Sequence, residues 1–139
     1  MRPDVRINPS AAEVKNWLPP VISHRGETPS TWERLNSDFN INALLAELDG
    51  QVVGFTHYIF RPSTWEVEDF CYLEDLYTDP KVRGKGVGRA LIKAVEEIAI
   101  ASGSKRLYWT TAPDNETARK LYDKVAITDR VQYKIYLNQ

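Results

Sequence analysis

The sequence predicts a single α/β domain of the α+β type, in which helices flank a mixed, mostly antiparallel, twisted sheet. Three observations predict this class: two apolar runs around a hairpin signal, a long helical pattern behind a glycine-rich turn, and further strand and helix patterns after it. A chain of 139 residues with 42% hydrophobic content is long enough for one core and short for two. We therefore expect one domain over residues 1–139.

Two short helices are expected before the sheet. Ser10 to Trp17 begins with an N-cap serine and has Glu13 where a capping box needs it, and Pro19-Pro20 ends this segment. Pro29 to Leu35 is the second segment with a helix-starting signal.

The sheet is expected to begin with a hairpin. Ala43 to Leu48 and Gln51 to Phe60 are apolar runs on either side of Asp49-Gly50, which favours a type I′ turn. Glu68 to Thr78 reads as the next strand, ended by Asp79-Pro80. Strict alternation along it places Leu73, Asp75 and Tyr77 on one face, and Tyr72, Glu74, Leu76 and Thr78 on the other.

The clearest helix follows the glycine turn. Apolar residues recur there at helical spacing, and Ser102-Gly103 provides a stop. A strand at Lys105–Thr111, a helix at Asn115–Lys124 and a final strand at Val131–Leu137 complete the prediction. On the helix after the glycine turn, the residues expected to be buried are Val87, Ala90, Leu91, Ala94, Val95, Ile98 and Ala99. On the helix at Asn115–Lys124, they are Ala118, Leu121 and Tyr122.

The formal net charge of -1 conceals a division in the middle of the chain. Six acidic residues and no basic ones lie between Pro62 and Pro80, and five basic residues and no acidic ones lie from Lys81 to Lys93. The near-neutral total gives no reason to expect nucleic acid as a partner. One cysteine, Cys71, excludes an internal disulfide and makes a cysteine-based metal site improbable. His24 and His57 stand alone, without His or Cys at ligand spacing, so we expect no metal. The single cysteine is in keeping with a reducing, cytoplasmic setting. No apolar run approaches the ~20 residues of a membrane span and the first residues lack a signal-peptide core, so we expect no membrane partner.

The glycine turn is the strongest candidate for a binding site. In Arg83-Gly84-Lys85-Gly86-Val87-Gly88, glycines join a strand to the start of a helix, where backbone N–H groups have no helical partner. These amides, the helix dipole and the neighbouring bases together favour an anion such as a phosphate. The alternative is a tight turn with a solvated basic face. A Walker loop is disfavoured because no Gly-Lys-Ser/Thr ends the turn, and a Rossmann fingerprint because no acid follows about 20 residues on.

Three motifs resemble those of one family in order and spacing. Val82 to Leu91 (VRGKGVGRAL) looks like the acetyl-CoA motif of the GNAT superfamily of N-acetyltransferases. Tyr72 to Thr78 (YLEDLYT) resembles the fourth strand of its spermidine/spermine and compact histone-acetylating branches, and Asn115 to Tyr122 (NETARKLY) its asparagine-to-tyrosine helix. The resemblance covers about Ala43 to Leu137 and implies the GNAT fold, with a sheet splayed at its central strands.

The resemblance also implies acetyl-CoA as the co-substrate. The pantetheine arm would pair with backbone of Leu76, Tyr77 and Thr78, in the manner of an added strand. Asn115 matches a residue that hydrogen-bonds this arm, and Tyr122 lies beside the thioester sulfur in the family. The pyrophosphate would take backbone N–H groups from Arg83, Gly84, Lys85, Gly86, Val87, Gly88 and Arg89.

For the reaction, the resemblance implies direct transfer to an amine in a ternary complex. Tyr122 would be the general acid toward the leaving thiolate, and without the resemblance it reads as a core tyrosine. Glu74 matches the carboxylate proposed as base, Asp75 is a candidate substrate carboxylate, and the amide near Tyr77 is the expected oxyanion donor.

Three functions remain open from the sequence. The first is acetylation of a small amine or polyamine, the second is acetylation of a protein lysine or N-terminus, and the third is a non-enzymatic acyl-CoA-binding module. Family members often dimerise through their last strands, so Val131–Leu137 is the candidate interface of a homodimer.

Overall fold

A computed structural model describes residues 5–8 and 41–138. The chain divides into two compact units, Met1–Trp109 and Thr110–Gln139. The helices expected at Ser10–Trp17 and Pro29–Leu35 lie outside the described residues. That residues 1–139 form a single domain stays a prediction.

The first unit contains a five-stranded sheet in the order β1-β2-β3-β4-β5. The first three pairings are antiparallel and the pairing of β4 with β5 is parallel, which confirms a mixed, mostly antiparallel sheet. The strands are β1 at Arg6–Asn8, β2 at Ile41–Leu48, β3 at Gln51–Arg61, β4 at Phe70–Thr78 and β5 at Leu107–Tyr108.

The hairpin between β2 and β3 has the expected turn. Asp49 has a φ of 53° and Gly50 has a φ of 79°. Two successive residues with positive φ define a type I′ turn, whose twist matches that of the flanking strands. Asp49 tolerates this conformation and Gly50 adopts it without steric cost, so the two-residue loop fixes the hairpin register.

A β-bulge interrupts β4 and corrects the predicted alternation. Asp75 pairs with His57 and Leu73 pairs with Tyr58, so Glu74 occupies the bulge between these two pairs. Because Tyr58 and His57 are successive residues on β3, Leu73 lies on the sheet face opposite that of Asp75. The prediction that these two residues share a face was wrong, since an extra residue in a strand shifts the side chains beyond it. Tyr72 likewise lies on the Asp75 face, opposite Leu76 and Thr78.

The long helix after the glycine turn is α1, Val87–Ala101. It packs on the sheet beside Gly54, because a β-carbon on that glycine would lie 3.0 Å from Val87 Cγ1 and 3.5 Å from Leu91 Cδ1. Ser102 is the C-cap and Gly103 has a φ of 83°, as a helix stop requires. The residues buried on α1 are Val87, Leu91, Ile92, Val95 and Ala99, whereas the predicted Ala90, Ala94 and Ile98 are half-buried.

Strand β5 is much shorter than the predicted Lys105–Thr111. Its pairing with β4 consists of Cys71 with Leu107 and Tyr72 with Tyr108. The Cys71 N–H donates to the Arg106 carbonyl at 2.8 Å, which anchors this end of the strand. Strand β5 therefore pairs only with the beginning of β4, whereas β3 pairs with β4 from Phe70 to Thr78.

The second unit contains helix α2, Glu116–Val125, close to its predicted position. Ala118, Leu121 and Tyr122 are half-buried rather than buried.

The strand predicted at Val131–Leu137 is not formed. A strand needs a neighbour for its backbone hydrogen bonds, and none of the described strands pairs with this segment. Its apolar side chains are exposed, among them Val131, Tyr133 and Ile135.

Candidate active site

The glycine turn begins where β4 ends. Asp79 caps the following 3₁₀ helix, Pro80–Val82, by accepting a hydrogen bond from the Lys81 N–H at 2.9 Å. Gly84 and Gly86 then adopt φ values of 84° and 86°, which L side chains rarely tolerate. These two glycines reverse the chain so that α1 starts immediately at Val87, which confirms the conformational role expected for them.

The start of α1 is open and rich in backbone donors. Its first helical hydrogen bond runs from the Ala90 N–H to the Gly86 carbonyl at 3.0 Å, so the amides of Val87, Gly88 and Arg89 precede the helical ladder. A β-carbon on Gly84 or Gly86 would meet nothing within 4 Å among the described residues. The helix dipole, the open space and the exposed Arg83, Lys85 and Arg89 fit a phosphate or pyrophosphate at this point.

The end of β4 runs toward this turn. Leu76, Tyr77 and Thr78 are half-buried and pair with Thr56, Phe55 and Gly54 of β3. The Phe55 and Tyr77 rings stack with centroids 5.8 Å apart, which packs the end of β4 against β3. The three residues expected beside a pantetheine arm are therefore continuous with the anion site in one unit.

Two acids in the middle of β4 have different surroundings. Glu74 is exposed and lies in the bulge. Asp75 is half-buried, and its Oδ2 lies 2.9 Å from Nδ1 of the buried His57. Thr56 donates from its hydroxyl to the Asp75 carbonyl at 2.6 Å, so the backbone at this position is held as well.

His57 is a further functional candidate, which belongs to none of the three sequence motifs. Its contact with Asp75 depends on the strand register across the bulge, which a one-residue alternation pattern does not reveal. The sequence signal is the presence of two adjacent polar residues, Thr56 and His57, within the apolar run of this strand.

Asn115 and Tyr122 belong to the second unit and are carried by α2. Asn115 is the N-cap: its Oδ1 accepts from the Ala118 N–H at 3.2 Å and its Nδ2 donates to Thr111 Oγ1 at 3.4 Å. Tyr122 follows two turns later, which places both residues on one side of the helix. Burial raises the pKa of the Tyr122 phenol above its ordinary value. The tyrosine therefore keeps its proton throughout the neutral range.

The described residues do not support a metal site, a cysteine nucleophile or a membrane-spanning helix. Residues 5–8 and 41–138 contain no group of three His, Cys, Asp or Glu side chains that could hold a metal ion. Cys71 is fully buried on β4, and burial raises the pKa of its thiol to about 11, which makes it a poor nucleophile. None of the described helices combines the length and the apolar character that a membrane crossing needs.

Comparison with known proteins identifies the family. The sequence model of the Acetyltransferase (GNAT) family matches residues 11–126, which is most of the chain. The chain belongs to the GNAT family.

Two curated relatives of this GNAT chain carry named activities. The D-amino-acid N-acetyltransferase HPA3 of Saccharomyces cerevisiae is 44% identical over 86 residues, which cover 61% of this chain and 53% of the relative. The thialysine N-epsilon-acetyltransferase of Bos taurus is 38% identical over 78 residues, covering 56% and 45%. The chain thus spans about half the length of the curated relatives it matches.

Solved structures agree on the GNAT fold. The ribosomal-protein-alanine N-acetyltransferase from Brucella melitensis superposes with a TM-score of 0.79 at 25% identity, covering 96% of this chain and 100% of that one. The aminoglycoside N-acetyltransferase AAC(6')-Iy in complex with CoA superposes with a TM-score of 0.78 at 19% identity, covering 99% and 96%. At that identity the second likeness concerns the fold alone.

Proposed function

We propose that this GNAT chain is an acetyl-CoA-dependent N-acetyltransferase that acetylates a primary amine of a small cationic acceptor. The observation that carries the proposal is the open helix start at Gly86, directly after a strand that holds Glu74 and Asp75. The helix start at Gly86 suits an anionic acetyl donor, and the acidic residues Glu74 and Asp75 suit a cationic acceptor. Relatives named for D-amino acids, thialysine and L-2,4-diaminobutyric acid support a small amine as the acceptor class.

The donor site of the proposal consists of backbone more than side chains. The N–H groups from Arg83 to Arg89 would bind the pyrophosphate, with the basic side chains adding charge. Leu76 and Thr78 would offer strand backbone to the pantetheine amides, because β5 accompanies only the beginning of β4. Asn115 would contribute its amide to the same arm. Acetyl-CoA supplies the activated acetyl group as a thioester.

The chemical step requires one proton to leave and one to arrive. Glu74 would accept the proton of the acceptor ammonium, directly or through water, so that the neutral nitrogen can attack. The nitrogen would attack the thioester carbonyl and form the new N–C bond, giving a tetrahedral oxyanion that the Tyr77 amide would stabilise. The C–S bond would then break as the carbonyl forms again. Tyr122 would give its proton to the leaving thiolate, and its raised pKa suits an acid that must arrive protonated.

The setting of the enzyme is also part of the proposal. We expect a cytoplasmic protein that works without a metal, so EDTA should leave turnover unchanged. We expect a homodimer through Val131–Leu137, whose exposed Val131, Ile135 and Leu137 would be covered by a second copy. Sedimentation of Ile135→Glu against the unaltered chain tests this, because only loss of the dimer in the variant supports the interface.

The deciding experiment is an amine screen with acetyl-CoA that follows release of free thiol. Tyr122→Phe should lower kcat by about 10²-fold while leaving CoA affinity unchanged. Tyr108→Phe is the matched control, because Tyr108 is half-buried like Tyr122 and lies on β5, outside the proposed site and the proposed interface. Tight CoA binding without turnover of any amine would reject the enzyme and favour an acyl-CoA-binding module. Turnover of peptide amines alone would favour a protein acceptor.

A further inference from the structure

His57 is a buried imidazole of which only one nitrogen is used. The residue is 4% exposed, and its Nδ1 lies 2.9 Å from Asp75 Oδ2. Its Nε2 is buried and has no hydrogen-bond partner among the described residues. The Phe55 ring lies 5.0 Å away, centroid to centroid, so an apolar ring flanks the imidazole.

The geometry assigns a direction to the bond with Asp75. An ionised carboxylate can only accept hydrogen bonds, so the Nδ1–H of His57 donates to Oδ2. A leucine or phenylalanine would fill the same space without burying an unpaired polar atom. Apolar packing therefore gives no reason for an imidazole here, and the contact with Asp75 is a feature that an apolar side chain would not provide.

The pair lies at the boundary between core and surface. The His57 side chain is 5% exposed and the Asp75 side chain is 31% exposed. The buried His57 thus contacts the partly exposed carboxylate of Asp75 from the core side. Glu74 lies next to Asp75, in the bulge of the same strand. A carboxylate held in this way has a fixed position relative to the acid proposed as base.

We propose that His57 is a positioning residue that orients Asp75 for a second positive charge on the acceptor. This inference rests on the proposed function and adds a specificity to it. Diamines should be acetylated in preference to monoamines of equal length, because a fixed anion attracts only an acceptor with a second cation at the matching distance. His57 itself does not touch the acceptor.

The test compares two substitutions that keep different halves of the imidazole. Asparagine places an N–H near the position of Nδ1 and retains the bond to Asp75, whereas glutamine places its amide near Nε2. The probes are 1,4-diaminobutane and 1-aminobutane, which differ by one ammonium group. His57→Gln should raise KM for the diamine about tenfold with kcat nearly unchanged and leave KM for the monoamine unchanged. His57→Asn should restore the diamine KM to near the original value.

Several results would overturn the proposal. Equal KM increases for both amines, or an unchanged diamine KM in His57→Gln, would reduce His57 to a packing residue. If His57→Gln does not fold, Asp75→Asn replaces it, since the amide oxygen still accepts from Nδ1 while the charge is lost. The diamine preference must then disappear, and its persistence would overturn the proposal.

Failure of the proposed function has a separate signature. If the unaltered protein binds CoA and acetylates neither amine, the enzyme proposal fails. Calorimetric binding of 1,4-diaminobutane to the CoA-bound protein then decides about His57. Weaker binding in His57→Gln and restored binding in His57→Asn support the positioning role, and equal binding in all three proteins overturns it.

Discussion

A β-carbon on Gly54 would lie 2.7 Å from the carbonyl oxygen of Tyr77, closer than such atoms pack in proteins. This glycine of β3 therefore lets the end of β4 and the start of α1 approach the centre of the sheet. The donor site proposed above is built on that approach, because Tyr77 and Val87 flank the glycine turn.

Gly54→Ala should lower the free energy of unfolding by about 1–3 kcal/mol, since the new methyl group meets backbone that cannot rotate away. Chemical denaturation measures the change. Gln51→Ala is the control, because Gln51 is exposed on the same strand and should shift stability by less than about 0.5 kcal/mol. A Gly54→Ala protein as stable as the original would show that α1 and β4 can separate without loss.

Gly86→Ala should weaken CoA binding severalfold, and Gly86→Val should abolish it. The substitution meets no atom within 4 Å among the described residues, so its effect comes from the φ of 86° that alanine adopts at a cost of about 1–2 kcal/mol. Gly103→Ala is the matched control at the other end of α1, with a φ of 83°. It should lose similar stability and keep CoA affinity in calorimetry; equal affinity in both variants would refute the placement of the pyrophosphate.

Substitution can separate the helix cap formed by Asn115 from its proposed contact with the pantetheine arm. Asn115→Ala removes the cap of α2 and should lower stability by about 1 kcal/mol, while Asn115→Asp retains a capping oxygen. If the side-chain amide also binds the pantetheine arm, Asn115→Asp should lose CoA affinity at unchanged stability. Thermal denaturation and calorimetry together measure this, and an Asn115→Asp protein with full affinity would leave the residue as a cap alone.

Cys71 should be inert in the folded protein. At pH 8 the buried thiol is protonated, so a thiol reagent should label it only after denaturation. Its pKa is raised from 9.0 to about 11 on folding, so the native state retains a proton that the unfolded chain releases between these values. The free energy of unfolding should therefore fall as pH rises from 9 to 11, and Cys71→Ala should reduce this slope. Rapid labelling of the native protein would contradict the burial.

Much of the fold followed from local signals. The Asp49-Gly50 turn, the helix that begins after the glycine turn and the helix that follows Asn115 each depend on a few neighbouring residues, and the structure forms all three close to their expected positions. The length of β5 and the state of Val131–Leu137 depend on which strands pair, and residue propensity carries no record of that.

The candidate site shows the same division. The glycine turn is a local motif, so its residues were found by spacing. The link between His57 and Asp75 joins two strands, and its recognition needed the register across the bulge. Alternation alone assigned Leu73 to the wrong face for the same reason.

The bulge at Glu74 also divides β4 into two parts whose side chains alternate between the sheet faces independently. Before it, Cys71 and Leu73 lie on one face of the strand and are buried. After it, the strand is offset by one residue, so Asp75 occupies a position opposite His57. Residues of β4 after the bulge could therefore be substituted to suit a different acceptor without changing which residues before the bulge face the core. Deleting Glu74 would remove the bulge and place Leu73 and Asp75 next to each other in the chain. Side chains would then alternate regularly through the whole strand.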